Sequence, residues 1–137
     1  MLVAEDININ EAAFFGDIEE LTSALENGQD PLELDDNGSN AVHKAAANGR
    51  IAVLEILLKD KSGINRADVT GCTAVHLAAK NGHLATVKWL VNNGGDIKAT
   101  TKKGRIALDF AKSTGDYDLI SFLRNCENIK TNWQACK

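Results

Sequence analysis

Proline is nearly missing from this chain of 137 residues: Pro31 is the only one. Aromatic residues amount to 5%. No apolar run approaches the roughly 18 residues that a membrane-spanning helix requires, so no membrane insertion is expected. The three cysteines, Cys72, Cys126 and Cys136, are an odd number without paired spacing, which argues against a disulfide framework. Glu5 and Asp6 stand where a secretory leader would be basic and then apolar. These absences point to a reduced compartment, cytoplasmic or alternatively nuclear. Also missing are a glycine-rich phosphate loop, a nucleophile elbow and a zinc-ligand spacing. The sequence therefore predicts no enzyme activity, no cofactor and no metal.

The first 36 residues lack Lys and Arg altogether and carry eleven Asp and Glu. The remaining residues hold eight acids and fifteen bases, so a net charge of −4 conceals about −11 in front and +7 behind. No aromatics interleave with the bases and the overall balance is acidic, which speaks against nucleic acid.

What the chain does have is a period. Gly16, Gly49, Gly82 and Gly115 stand 33 residues apart. Ala12, Ala45, Ala78 and Ala111 keep the same step, as do Gly38, Gly71 and Gly104, and Leu21, Leu54, Val87 and Ile120. Self-similarity at such a period marks a repeat array, in which stacking buries what one unit cannot bury alone. Each unit reads as two short helices. In the third, 74–81 places Val75, Ala78 and Ala79 at helical spacing, and 84–93 places Leu84, Val87, Leu90 and Val91 on one face. The expected helices are 8–15, 18–27, 41–48, 51–60, 74–81, 84–93, 107–114 and 117–125. The Asn-Gly pairs at 27, 48, 81 and 93 read as helix ends and the pair at 37 as a turn tip. Trp89 reads as packing between units. The tail 127–137, with Trp133, either caps the last unit or stays loose.

The third unit runs Thr73-Ala74-Val75-His76-Leu77-Ala78-Ala79, Asn81-Gly82-His83-Leu84 and Gly94-Gly95-Asp96-Ile97, and it resembles the ankyrin repeat. The second unit, around Val42-His43-Lys44-Ala45-Ala46, is similar, and Ile106-Ala107-Leu108-Asp109 resembles a closing copy. The family's usual proline ahead of that apolar residue is replaced by Ala41, Ala74 and Ala107. The resemblance implies an all-α solenoid with short turn fingers. It implies one domain over 1–126, with copies near 5–36, 37–69, 70–102 and 103–126. His43 and His76 become scaffold, bonded to the neighbouring link and to Asn40 or Thr73.

The resemblance also implies a non-enzymatic protein-interaction module, a small adaptor or stoichiometric inhibitor, read here as a monomer. The alternative is the N-terminal regulatory array of a larger channel, kinase or transferase. Fingers and first helices would form the concave binding face. Its candidate contacts are Leu34, Asp36, Asn37, Ser39, Ala47 and Asn48, in the link into the second copy and its first helix. The link into the third copy and its first helix contribute Ala67, Val69, Thr70, Cys72, Lys80 and Asn81, and those of the fourth Thr100, Lys102, Lys103, Arg105 and Ser113. Lys98, Lys102, Lys103 and Arg105, with Lys112 beside them, form a basic cluster suited to an acidic partner surface or a phosphate, or else a charged turn that keeps the array soluble. Phe14 and Phe15, at family-exposed positions, are either a contact pair or packed under Leu2-Val3. The resemblance further marks Asn65 as a link asparagine open to hydroxylation.

Overall fold

The computed structural model describes residues 9–30, 34, 38–59 and 63–129. The elements it defines there are helices in four consecutive pairs: α1 (Ile9–Phe15) with α2 (Ile18–Glu26), α3 (Ala41–Ala47) with α4 (Ile51–Leu57), α5 (Ala74–Lys80) with α6 (Leu84–Asn92), and α7 (Ala107–Thr114) with α8 (Tyr117–Ile129). The first helices α1, α3, α5 and α7 stack in one layer, and each second helix packs on its own partner.

The period explains why the turns repeat. Gly16, Gly49 and Gly82 have φ of 74°, 70° and 74°. That left-handed geometry turns the chain so that the next N–H reaches back five residues. Asp17, Arg50 and His83 donate to the carbonyls of Ala12, Ala45 and Ala78 at 2.9, 2.8 and 2.9 Å. Small side chains do the rest. Ala12, Ala13, Ala45, Ala46, Ala78, Ala79 and Ala111 are essentially inaccessible, which lets neighbouring first helices approach closely. Leu21, Leu54 and Val87 fill the space beneath them. Each such side chain contributes about 1.5–3 kcal/mol by leaving water.

Two helices depart from the expected bounds. α4 stops at Leu57, three residues early. No Asn-Gly pair follows it, and Leu58, 3% exposed, leaves helical geometry at φ −110°, ψ 34°. α8 runs on to Ile129, four residues past expectation. Ile120 is half-buried, whereas its neighbour Leu119 is fully buried and leads the contact of α8 with the core. The Leu2-Val3 packing, Trp133 and Cys136 lie outside the described residues.

Two sets of side chains hold the stack in register, one reaching forward to the following link and one backward to the preceding copy. His43 Nδ1 accepts from the Asn40 N–H at 3.1 Å, so its Nε2 carries the proton and donates to the Arg66 carbonyl at 2.9 Å. His76 repeats this with Thr73 at 2.9 Å and the Ala99 carbonyl at 2.8 Å. In the last copy the Asp109 carboxylate accepts from the Ile106 N–H at 3.0 Å and has no ring N–H to donate onward. The second set points backward. Arg50 Nε donates to the Phe14 carbonyl at 3.2 Å, and His83 Nε2 to the Ala47 carbonyl at 3.0 Å. In the outer copies the matching residues Asp17 and Asp116 instead cap α2 and α8, accepting from Glu20 N–H and Leu119 N–H. Lys88 adds a contact between copies, its Nζ lying 5.7 Å from the centre of the Phe122 ring.

Burial, the largest influence, pulls both histidines below their ordinary value near 6.5, against the opposing pull of the carbonyl partners and Asp68. A histidine whose folded value is depressed stabilises fully above the unfolded value and loses that contribution as pH falls through the folded one. Asp68 behaves differently. Burial alone would raise it, yet hydrogen bonds from Thr70 and Cys72 outweigh burial and hold it below 3.8, so it acts only in stronger acid. Thermal unfolding should therefore occur at falling temperature between pH 7 and pH 5. The double variant His43→Gln/His76→Gln, less stable throughout, should lose most of that slope.

Thr73 is extended, at φ −96° and ψ 176°, the conformation that a residue before proline adopts. Ala74 is the first helical position, where proline's lost N–H costs least. Ala74→Pro should raise stability by about 0.4–1 kcal/mol in chemical denaturation, by restricting the unfolded chain.

Candidate functional site

The two links between the second, third and fourth copies are organised by one side chain each, 33 residues apart. Asp68 Oδ1 accepts from the Thr70 N–H at 2.8 Å, the Thr70 hydroxyl at 2.6 Å and the Cys72 N–H at 3.0 Å. Asp68 and Cys72 also pair through their backbones at 2.9 Å, which closes the turn into a finger. In the next finger Thr101 takes the same place. Its hydroxyl accepts from the Lys103 and Arg105 N–H groups at 3.3 and 3.2 Å, and its N–H donates to the Arg105 carbonyl at 2.9 Å.

The fingers are joined to each other by main chain. The Lys102 N–H donates to the Thr70 carbonyl at 3.0 Å. Gly71, at φ 85°, lies so near that an added Cβ would stand 2.7 Å from the Lys102 nitrogen and 3.0 Å from Thr101 Cα. Only glycine permits this approach.

Between these fingers and the first-helix layer lies a groove of about 460 Å³. Lys80 enters from α5 and Phe110 from α7; Val69, Thr70 and Cys72 come from one finger, and Thr101, Lys102, Lys103 and Arg105 from the other. Four cations thus face one cavity, and none of its lining residues is an acid. The apolar part is Phe110, half-buried, and Val69, 52% exposed. Phe110 is held in place by an edge contact with the His76 ring, centroids 5.6 Å apart. The histidine that holds the link into the fourth copy therefore also supports the groove floor. Cys72 is a half-buried free thiol.

Seven of the candidate contacts meet here: Val69, Thr70, Cys72, Lys80, Lys102, Lys103 and Arg105. Thr101 and Phe110 join them without having been singled out. Thr101 stands in register with Asp68, and Phe110 with the half-buried Leu77 of the preceding first helix. Lys98 and Lys112 are exposed but do not line the groove. Ser39 is buried beside Asn40, the N-cap of α3, which leaves little of it for a partner to touch. Ala47 and Asn48 are half-buried, with Asn48 Nδ2 turned back onto the Lys44 carbonyl at 2.9 Å. Asn81 is engaged as well, its Nδ2 donating to the Ala47 carbonyl at 2.8 Å. Leu34, Ala67 and Thr100 are exposed. Ser113 is exposed and donates to its own helix at Asp109 O. Asp36 and Asn37 lie outside the described residues. Asn65 bridges copies: its Nδ2 donates to the Gly94 carbonyl at 3.0 Å while its Oδ1 accepts from the Asp96 N–H at 2.8 Å.

Two repeats away, Phe14 and Phe15 are 44% and 66% exposed, rings 5.0 Å apart and edge to face. Among the described residues no three of His, Cys, Asp and Glu gather as metal ligands, and no helix is long and apolar enough to cross a membrane.

A family model described as ankyrin repeats, in three copies, matches residues 9–101 and 65–135. No curated protein matches the chain.

Gly71→Ala would press a methyl group onto the neighbouring finger in a left-handed backbone. It should cost about 1–3 kcal/mol in denaturant unfolding, and the Lys102 amide should exchange its hydrogen faster.

Proposed function

Because the chain belongs to the ankyrin-repeat family, whose members are generally protein-interaction modules, we propose that it is a small adaptor or stoichiometric inhibitor that captures an acidic protein surface in the groove between the fingers of its third and fourth copies. One observation carries this reading. Lys80, Lys102, Lys103 and Arg105 converge on one cavity whose lining includes no carboxylate. A site of that kind repels cationic surfaces and attracts acidic ones, raising the rate and selectivity of encounter. Phe110 and Val69 add apolar area that a purely electrostatic contact would lack. Glu11, Asp17, Glu19, Glu20 and Glu26 on and beside α1 and α2 turn an acidic partner toward the other end.

The test is affinity capture followed by mass spectrometry, with wild type beside Lys102→Glu/Lys103→Glu. Both lysines are exposed, so the fold should persist. Partners of wild type should be enriched in acidic segments. They should be lost from the variant by tenfold or more, and weakened as NaCl rises and screens the exposed charges. Retention of every partner by the variant would overturn the reading.

A further inference from the structure

The buried positions of this array repeat in chemistry as well as in space, and several surface tracks do not. One of these runs along the ends of the first helices. Phe14, Ala47, Lys80 and Ser113 stand 33 residues apart, each in the last turn of its first helix. Read along the stack, the track offers an aromatic, a methyl group, a cation and a hydroxyl. Its two ends differ in what they can bind. Phe14 and Phe15 present apolar rings to solvent. Lys80 opens into the cationic groove with its Val69 and Phe110 floor. Between them Ala47 is low, and its carbonyl is already taken by Asn81 and His83, so the middle of the track offers contact but no free acceptor there.

We infer that the partner binds as one extended segment in two places at once: an apolar side chain on the Phe14–Phe15 pair, and an acidic stretch carrying its own apolar residue in the groove. This rests on the acidic-partner reading above and adds a second anchor, a spacing and a direction. Neighbouring first helices pack about 8–10 Å apart, so two steps along the stack come to about 20 Å. An extended chain rises about 3.3 Å per residue, which makes the gap about six residues. The direction follows from charge. Reversed, the acidic stretch would lie over α1 and α2, where Glu11, Asp17, Glu19, Glu20 and Glu26 face one neighbouring cation, Arg50, in place of the groove's four. Linking two modest contacts raises affinity through effective concentration, provided the spacer matches the span.

The test uses fluorescence anisotropy with labelled synthetic peptides and the full chain. Each peptide has two leucines, a Gly-Ser spacer of two, six or twelve residues, and the segment Glu-Asp-Phe-Glu-Asp; a control lacks the leucines. The six-residue spacer should bind at least tenfold tighter than the control. The two-residue spacer should match the control, and the twelve-residue spacer should fall between. Phe14→Ala/Phe15→Ala should abolish the tenfold gain and leave the control's Kd unchanged. Phe15→Ser provides a milder second variant, and circular dichroism confirms that each variant folds. Equal affinity across spacer lengths, or a gain that survives loss of both rings, would overturn two-point binding and leave the acidic-groove reading intact. If even the control fails to bind wild type, and the failure persists at low salt, the groove reading falls and this inference with it.

Discussion

The hydrogen bond from a histidine Nε2 to the carbonyl of the following link is the contact on which the rest of the stack depends. It is made twice, from His43 to Arg66 and from His76 to Ala99. Helix layers packed through alanines are nearly featureless and could slide; a directed bond from a buried ring cannot be made in any other register. The local half of the arrangement, Nδ1 accepting from a backbone N–H three residues earlier, fixes both the tautomer and the ring. Asp109 keeps that local half and lacks the long-range half. In the third copy the same ring also buttresses Phe110, so stacking order and the shape of the binding groove rest on one side chain.

The architecture was legible because the period repeats residue types that have only one structural use. A glycine at the same place in each copy, followed by a donor reaching back to an alanine carbonyl, specifies a turn whatever surrounds it. The α4 terminus was less legible, since no Asn-Gly pair closes that helix and the inward turn of Leu58 depends on packing. The groove was legible in part. Alignment to equivalent positions picked out seven lining residues, because fingers repeat in space. It included Ser39, which is buried beside the cap of α3, and it passed over Phe110. Sequence neighbours are not spatial neighbours here: Lys98 precedes the finger and Lys112 follows it, while Lys80, on another helix, completes the cavity.

The outer copies solve a different problem from the inner ones, and they do so at the same position. Arg50 and His83 reach backward to a preceding helix end, whereas Asp17 and Asp116 serve their own second helices. A donor is useful where a neighbour's carbonyls need satisfying, and an acceptor where a helix start does. The same residue slot thus alternates between holding the stack together and finishing a single helix.

The join between fingers has a consequence for how this surface could change. Its width is set by the Lys102 N–H to Thr70 carbonyl bond and by the bare Gly71 Cα, all main-chain atoms. None of the four cationic side chains takes part in setting it. Their identities can therefore drift one at a time, altering which surface is attracted, while the slot that receives it keeps its gauge. A lineage holding this glycine and varying these charges would exchange partners without having to refold, and the scaffold would act as a fixed socket for changing plugs.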